Sequence, residues 1–218
     1  MKVVFLGLWR LLSAHRSKTP VGKTRSKDKG TNFEVERKYR LVPEELESVR
    51  QRLAEMGFTP SKSIEMTDRF LPTKIDGEML RVRDETIAGK THTVLTIKEW
   101  VIISGGKERS ETEGHLSPLS RRFLLFLGRL IRGQALLQFS KLRLDHESPS
   151  RPHVIVALDT VEGLGDNSGH YAEIEVLVPQ DGDVESARAQ IASLARTLFN
   201  EEREPVMQSY MDMLKLVS

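Results

Sequence analysis

Phe33-Glu34-Val35-Glu36-Arg37-Lys38-Tyr39 decides the fold, because its charged and apolar side chains fall on alternate residues. Side chains at i and i+2 of a strand share a face. Glu34, Glu36 and Lys38 therefore share one face, and Phe33, Val35 and Tyr39 the other. The alternation returns along the chain. Arg81 and Arg83 oppose Leu80 and Val82, Thr96 and Lys98 oppose Leu95 and Ile97, and Arg109, Glu111 and Glu113 line up together. Lys141 and Arg143 oppose Leu142 and Leu144. Asp159 follows Ile155 and Ala157 at two-residue steps, and Glu173 and Glu175 oppose Ala172, Ile174 and Val176.

These segments belong to eight expected strands, at 32–41, 64–72, 78–85, 91–100, 106–115, 134–145, 153–161 and 170–178. Ser104-Gly105-Gly106 reads as a hairpin turn and Gly163 to Asn167 as a longer one. Four helices are expected. Pro43 opens the first, with Leu46, Val49, Leu53 and Met56 on its apolar side and Gly57 beyond. Ser117-Pro118 opens the second, with Phe123, Leu124, Leu127, Leu130 and Ile131 as its apolar face and Gly133 after it. Asp183 caps a third through Ala187, Ile191, Leu194 and Leu198. A fourth follows Pro205, using Met207, Tyr210, Met211 and Leu214. Many strands with few helices between them predict an α+β chain with an antiparallel sheet, and eight strands suit a closed barrel.

An ordinary half-exposed sheet turns its charged face to water. Here the helices need apolar sheet surface to cover, so helices packed outside would turn the charged face inward. That face carries Lys38, Arg81, Arg83, Lys98, Arg109, Lys141 and Arg143, against Glu34, Glu36, Glu111, Glu113, Asp159, Glu173 and Glu175. Burying so many ions dry and unpaired is prohibitive. The enclosed face is therefore expected to be wet, internally paired and suited to charged ligands. Arginines and lysines fit phosphate oxygens. Carboxylate pairs without His or Cys fit Mg²⁺ or Mn²⁺ rather than Zn²⁺. Metal and polyphosphate together satisfy both sets.

The chain has 218 residues, 39% hydrophobic and 29% charged, in the range of a globular domain. It has no cysteine, which excludes disulfides, thiolate catalysis and Cys-ligated metal and is compatible with a cytoplasmic location. The longest nearly apolar run, Val3 to Trp9, is far short of a membrane span. Residues 1–30 carry eight Lys/Arg against Asp28 alone, a charge of +7, which leaves −5 for the rest of a chain whose net charge is +2. No specific nucleic-acid partner is indicated. Residues 1–31 are set apart as a basic extension, either a disordered tail or an organelle transit peptide, and 32–218 as the domain. Gly22-Lys23-Thr24 and Gly89-Lys90-Thr91 lack the earlier glycine of a phosphate loop. His92, His115, His146, His153 and His170 show no ligand spacing and read as surface or turn residues. Trp9 and Trp100 are not interleaved with a basic stripe.

The ordered series of motifs resembles the CYTH superfamily, the triphosphate tunnel metalloenzymes, over about residues 32–216. Glu34-Val35-Glu36-Arg37-Lys38 is similar to its Glu-x-Glu-x-Lys signature. Thr67-Asp68-Arg69-Phe70, Leu80-Arg81-Val82-Arg83, Leu95-Thr96-Ile97-Lys98 and Arg109-Ser110-Glu111-Thr112-Glu113 resemble the strands that follow. Lys141-Leu142-Arg143, Leu158-Asp159, Glu173-Ile174-Glu175 and Ser209-Tyr210 with Met213-Leu214 are similar to its C-terminal blocks. The stretch from Gly165 to Tyr171 is longer and more polar than the family's link.

The resemblance implies an eight-stranded antiparallel tunnel with a charged lumen. It implies Glu34, Glu36, Glu173 and Glu175 as metal ligands, with Asp159 as a further metal or water-orienting carboxylate. Lys38, Arg81, Arg83, Lys98, Arg109, Lys141 and Arg143 would grip phosphate, and Lys38, Asp159 and Arg143 would act in catalysis. The expected function is a Mg²⁺- or Mn²⁺-dependent hydrolase of inorganic, thiamine or nucleoside triphosphate. The alternatives are a class IV adenylate cyclase and a non-catalytic polyphosphate-binding module. The partner is a small triphosphate, and a homodimer is compatible with the sequence.

Overall fold

Alternation of charged and apolar residues produces eight strands, as the sequence predicts. The computed structural model describes the backbone of residues 33–73, 78–103, 106–179 and 182–217, and their side chains except at residues 33 and 99–111. The basic extension and the Ser104-Gly105 part of the expected hairpin turn lie outside the described residues. Strand β1 spans Phe33–Leu41, β2 Thr59–Leu71, β3 Met79–Ile87 and β4 Lys90–Ile103. Strand β5 spans Gly106–His115, β6 Leu137–Glu147, β7 Val154–Glu162 and β8 Gly169–Val178. All pairings are antiparallel, in the order β1-β8-β7-β6-β2-β3-β4-β5. The ends of this ladder, β1 and β5, approach within 8 Å at their Cα atoms. The protein is thus an α+β fold built on one antiparallel sheet.

Helix α1 spans Glu45–Glu55, α2 Pro118–Arg132, α3 Val184–Phe199 and α4 Tyr210–Lys215. Ser117 caps α2 by accepting from Ser120 N, and Asp183 caps α3 by accepting from Glu185 N and Ser186 N. Gly133 ends α2 at φ 72°, a left-handed value that glycine adopts without strain. Helices α1 and α3 cover the apolar face of β1, β8 and β7. Val49 and Leu53 of α1 and Ile191, Leu194 and Leu198 of α3 share one core with Val35, Tyr39, Val156, Leu158, Ile174 and Val176. The charged residues of these strands therefore lie on the face turned away from α1 and α3.

Three expectations are corrected. The fourth helix begins at Tyr210, not after Pro205. The backbone N–H of Val206 donates to the carbonyl of Lys38, so the preceding segment runs along β1, and a capping box of Ser209 with Asp212 starts the helix. Met207 is 81% exposed. The buried face of α2 is Leu124, Leu125 and Gly128, while Phe123, Leu130 and Ile131 face solvent. A Cβ at Gly128 would lie 2.6 Å from Leu71 Cδ2, so glycine lets the helix sit against β2. His146 is buried, with Nδ1 within hydrogen-bond reach of the carbonyls of Leu144 and Val156, and burial lowers its pKa.

An ion cluster also anchors α2. Asp84 on β3 accepts from Arg69 of β2 at 2.6 Å, Arg121 Nε of α2 at 2.7 Å and Thr93 of β4 at 2.7 Å. Burial acts to raise the Asp84 pKa, but Arg121, Thr93 and Arg69 outweigh it and hold the carboxyl at about 2. A depressed carboxylate pKa stabilises the fold above the unfolded value, and that stability is lost as pH falls from about 4 toward 2. Asp84→Asn is expected to cost about 2 kcal/mol at pH 7. Urea titrations should show the gap between variant and wild type closing as pH falls from about 4 toward 2. A constant gap would place the effect elsewhere.

Candidate functional site

The register brings the charged residues to one face of the sheet. Glu36 lies opposite Glu175 and Lys38 opposite Glu173 across β1 and β8. Asp159 pairs with Tyr171 on one side and with Arg143 on the other. Asp68 pairs with Arg83, Arg81 with Thr96, and Thr96 with Glu113. Lys98 pairs with Glu111, and Arg109 with Trp100. The register thus puts Arg109 and Glu111 in line with Glu113, though their side chains lie outside what is described.

Two ion networks occupy this face. In the first, Asp159 accepts from Lys141 Nζ at 2.7 Å and from Arg143 Nε at 2.9 Å. Arg143 also donates to Glu175 at 2.9 Å and to Glu173, and Lys141 lies 3.7 Å from Glu173. In the second, Asp68 takes a bidentate grip from Arg83 at 2.6 and 2.8 Å, with Arg81 at 3.7 Å. Arg81 donates to Thr96, which donates to Glu113 at 3.0 Å. Asp68 and Asp159 are each only 1% exposed. Burial pushes the Asp68 pKa up, but Arg83 and Arg81 hold it down at about 2. Burial likewise acts against ionised Asp159, while Lys141 and Arg143 keep it ionised well below the usual range.

Glu34, Glu36 and Glu175 form a further group that shares Glu175 with the first network, each offering a carboxylate oxygen within 4.8 Å of the others. Their environments differ. Burial works to raise the Glu36 pKa, but Lys98, Arg143, Lys141 and Lys38 together lower it. Lys98 is on β4, six strands from β1 along the ladder. At Glu175, burial wins over Arg143 and is reinforced by Glu173 and Glu36, raising the pKa to about 7. Oxygen donors of this kind fit a hard divalent cation, whose charge would replace the proton that Glu175 otherwise takes. Glu173 and Asp159, expected as further ligands, lie beside this group and accept from Arg143, as Glu175 does, with Lys141 close to both.

The C-terminal segment enters the same face. Lys38 Nζ donates to the carbonyl of Gln208 at 2.6 Å and stands 3.9 Å above the Tyr210 ring. Burial lowers the Lys38 pKa against Glu173 and Glu36, with Lys141 acting in the same sense as burial. The Tyr210 hydroxyl donates to Asp159 at 3.2 Å, and its pKa is held well above the phenol range by burial, Glu173 and Asp159. Phe70, Phe139, Val161 and Tyr171 close this end with Met213 and Leu214 of α4.

Reading the sequence missed Asp68, Thr96, Asp145 and Tyr210 as members of the site. Asp68 follows Ile64 and Met66 on its face, so that strand gives no run of charge. Asp145 continues the Lys141-Arg143 alternation and was legible. It is buried, burial raises its pKa, and its Oδ1 accepts no hydrogen bond.

Mn²⁺ titrated into the protein at pH 7 is expected to release about half a proton, rising toward one near pH 6 and vanishing above about 8.5. The sign follows from Glu175, whose raised pKa leaves it protonated below about 7. Calorimetry in buffers of different ionisation enthalpy measures this release. Its persistence in Glu175→Gln would assign the proton to another group.

Comparison with known proteins follows the same lines. A family model described as the CYTH domain matches residues 32–210. No curated protein matches the chain by sequence. Among solved structures, the PH1012 protein of Pyrococcus horikoshii OT3 superposes with a TM-score of 0.64 at 21% identity, covering 83% of this chain and 99% of its own. A Vibrio parahaemolyticus protein described as a candidate adenylate cyclase gives 0.56 at 18% identity, covering 84% and 98%. A Bacillus halodurans protein described in the same way gives 0.55 at 16%, covering 84% and 97%. At these identities the likeness concerns the fold. The motif series, the register and the match over residues 32–210 agree, and the chain belongs to the CYTH domain family.

Proposed function

We propose that this protein is a divalent-metal-dependent hydrolase of a triphosphate, acting on a charged face that closes into a tunnel. Closure is supported by the approach of β1 and β5 and by the influence of Lys98 on Glu36 from six strands away. The observation that carries the reading is the group of Glu34, Glu36 and Glu175 beside cations from four strands: Lys38 of β1, Arg81 and Arg83 of β3, Lys98 of β4, and Lys141 and Arg143 of β6. Binding an anion needs no carboxylate cluster, which weighs against a non-catalytic module.

Glu34, Glu36 and Glu175 would hold Mg²⁺ or Mn²⁺. Bound there, the cation supplies charge that neutralises phosphate oxygens and lowers the pKa of water. The chain's own residues do the rest. Arg143, Lys141, Arg81 and Arg83, oriented by Asp159 and Asp68, hold the phosphate oxygens. Lys38, with its pKa lowered by burial, can take the proton as water attacks the terminal phosphorus and the bond to the bridging oxygen breaks. Orthophosphate and the shortened phosphate chain leave.

The second reading is an adenylate cyclase, favoured by the names of the Vibrio and Bacillus neighbours. Cyclisation requires the ribose held so that its 3′-hydroxyl is about 3–3.5 Å from the α-phosphorus. Among the described residues, the aromatic rings on this face, Phe70, Phe139, Tyr171 and Tyr210, pack on one another and on α4. These rings are engaged with one another rather than offered to a base, which favours hydrolysis.

Glu34→Gln or Glu175→Gln is expected to lower turnover of inorganic triphosphate by about 10²-fold or more without loss of stability. In the same assay Arg81→Ala should raise KM more than either does, because phosphate contact already exists in the ground state. Wild-type turnover in both glutamine variants would remove these residues from the site. With ATP and Mn²⁺, the expected products are ADP and orthophosphate, with inorganic triphosphate cleaved at least as well. Cyclic AMP and pyrophosphate as the main products, with inorganic triphosphate untouched, would establish the cyclase instead.

A further inference from the structure

Helix α2 has two opposite apolar faces. At about 100° per residue, Leu124, Leu125 and Gly128 point to one side and are buried. Leu119, Phe123, Phe126 and Leu130 fall on the opposite side, within about 40° of one line along the helix. They are 79%, 50%, 63% and 67% exposed. Single exposed apolar residues are ordinary, but a continuous stripe of two leucines and two phenylalanines is an interaction patch. The charges of α2 have one sign: it holds Arg121, Arg122, Arg129 and Arg132 and no Asp or Glu. Arg121 is engaged by Asp84, and Arg132 donates to the carbonyl of Ala135. Arg122 and Arg129 are exposed and border the stripe along one edge.

We propose that α2 docks the protein on an anionic lipid bilayer, lying in the plane of the interface. Phe123, Phe126 and the two leucines enter the acyl boundary, while Arg122 and Arg129 meet the headgroups. Charge selects this occupant. A second copy of α2 would set Arg122 and Arg129 against their own counterparts, and residues 1–30, at +7, have the same sign again. Shape agrees, because the stripe stands outermost on its helix, opposite the docked face, where it can meet a flat surface. The helix does not cross the bilayer. Its 15 residues reach about 22 Å against a hydrocarbon core of about 30 Å. No described helix is long and apolar enough to span.

The absence of cysteine supplies the test. Phe126→Cys gives the full chain a single thiol for an environment-sensitive fluorophore. Emission should shift to the blue with vesicles containing phosphatidylserine and stay unchanged with pure phosphatidylcholine. In co-sedimentation, Phe123→Ser with Phe126→Ser should bind phosphatidylserine vesicles about tenfold more weakly or worse, and Arg122→Glu with Arg129→Glu similarly. Because the basic extension is present in every variant, the difference between variants reads α2. These side chains are exposed, so urea midpoints should remain those of wild type. A silent fluorophore, or equal vesicle affinity in the double serine variant, overturns the proposal. So does a wild-type dimer that the serine variant converts to monomer, which would give the stripe to a second copy.

Discussion

One buried carboxylate holds the site together. Asp159 receives Lys141, Arg143 and the Tyr210 hydroxyl, and through Arg143 it is linked to Glu173 and Glu175. Two ammonium-type ions brought out of water without it would each carry a penalty of several kcal/mol. The pairing lets β7 and β8 present ionised groups on one face while their other face joins an apolar core. Asp68 performs the same service for Arg83 and Arg81 on β2 and β3. Fixed pairs of this sort are expensive compared with apolar packing. Their presence on one face contributes little to stability and agrees with the ligand-binding role proposed for it.

Much of this was legible because a strand has a period of two and charged residues are easily counted. The eight strands followed from alternation and turn signals, and the shared face of Glu34, Glu36, Lys38, Lys141, Arg143, Asp159, Glu173 and Glu175 from alternation together with the helices' need for an apolar surface to cover. What alternation cannot show is reach across the sheet. Glu173 and Glu175 stand two residues apart on the same face, yet Glu173 is met by Arg143 and Lys141 while Glu175 also faces Glu34 and Glu36. That division depends on side chains from strands distant in sequence. The docked face of α2 was misread for a different reason: leucines and phenylalanines surround the helix, and Gly128, the point of close approach, has no hydrophobicity to reveal it. The delayed start of α4 reflects tertiary pairing of Val206 with Lys38, which no local signal after Pro205 encodes.

The carboxylates of the candidate metal group have been pushed in opposite directions. Glu36 is held ionised by lysines and Arg143, while Glu175, opposite it across the β1–β8 ladder, is held near neutrality. Pairs of titratable groups with separated proton affinities are a recurring feature of sites that bind and release charge. Here the separation arises from geometry. Burial acts to raise both pKa values; at Glu175 the nearby Glu173 and Glu36 reinforce it against Arg143 and Lys141, whereas at Glu36 four cations overcome it.

The join between β1 and the far end of the chain constrains biosynthesis. Among the described residues, the hydrogen-bonded neighbour of β1 is β8, and Lys38 is tied both to Val206 and, 170 residues downstream, to Gln208. A ribosome adding about 5–20 residues per second takes about 10–35 s to cover that distance. For most of that interval, until β8 has been made, β1 lacks its ladder partner. Such late, long-range closure belongs to slow-folding topologies. A nascent chain therefore cannot hold Lys38 against Tyr210 or gather Glu34 and Glu36 beside Glu175. The part of the charged site built on β1 comes into being late, only after β8 and the segment around Gln208 and Tyr210 have been made.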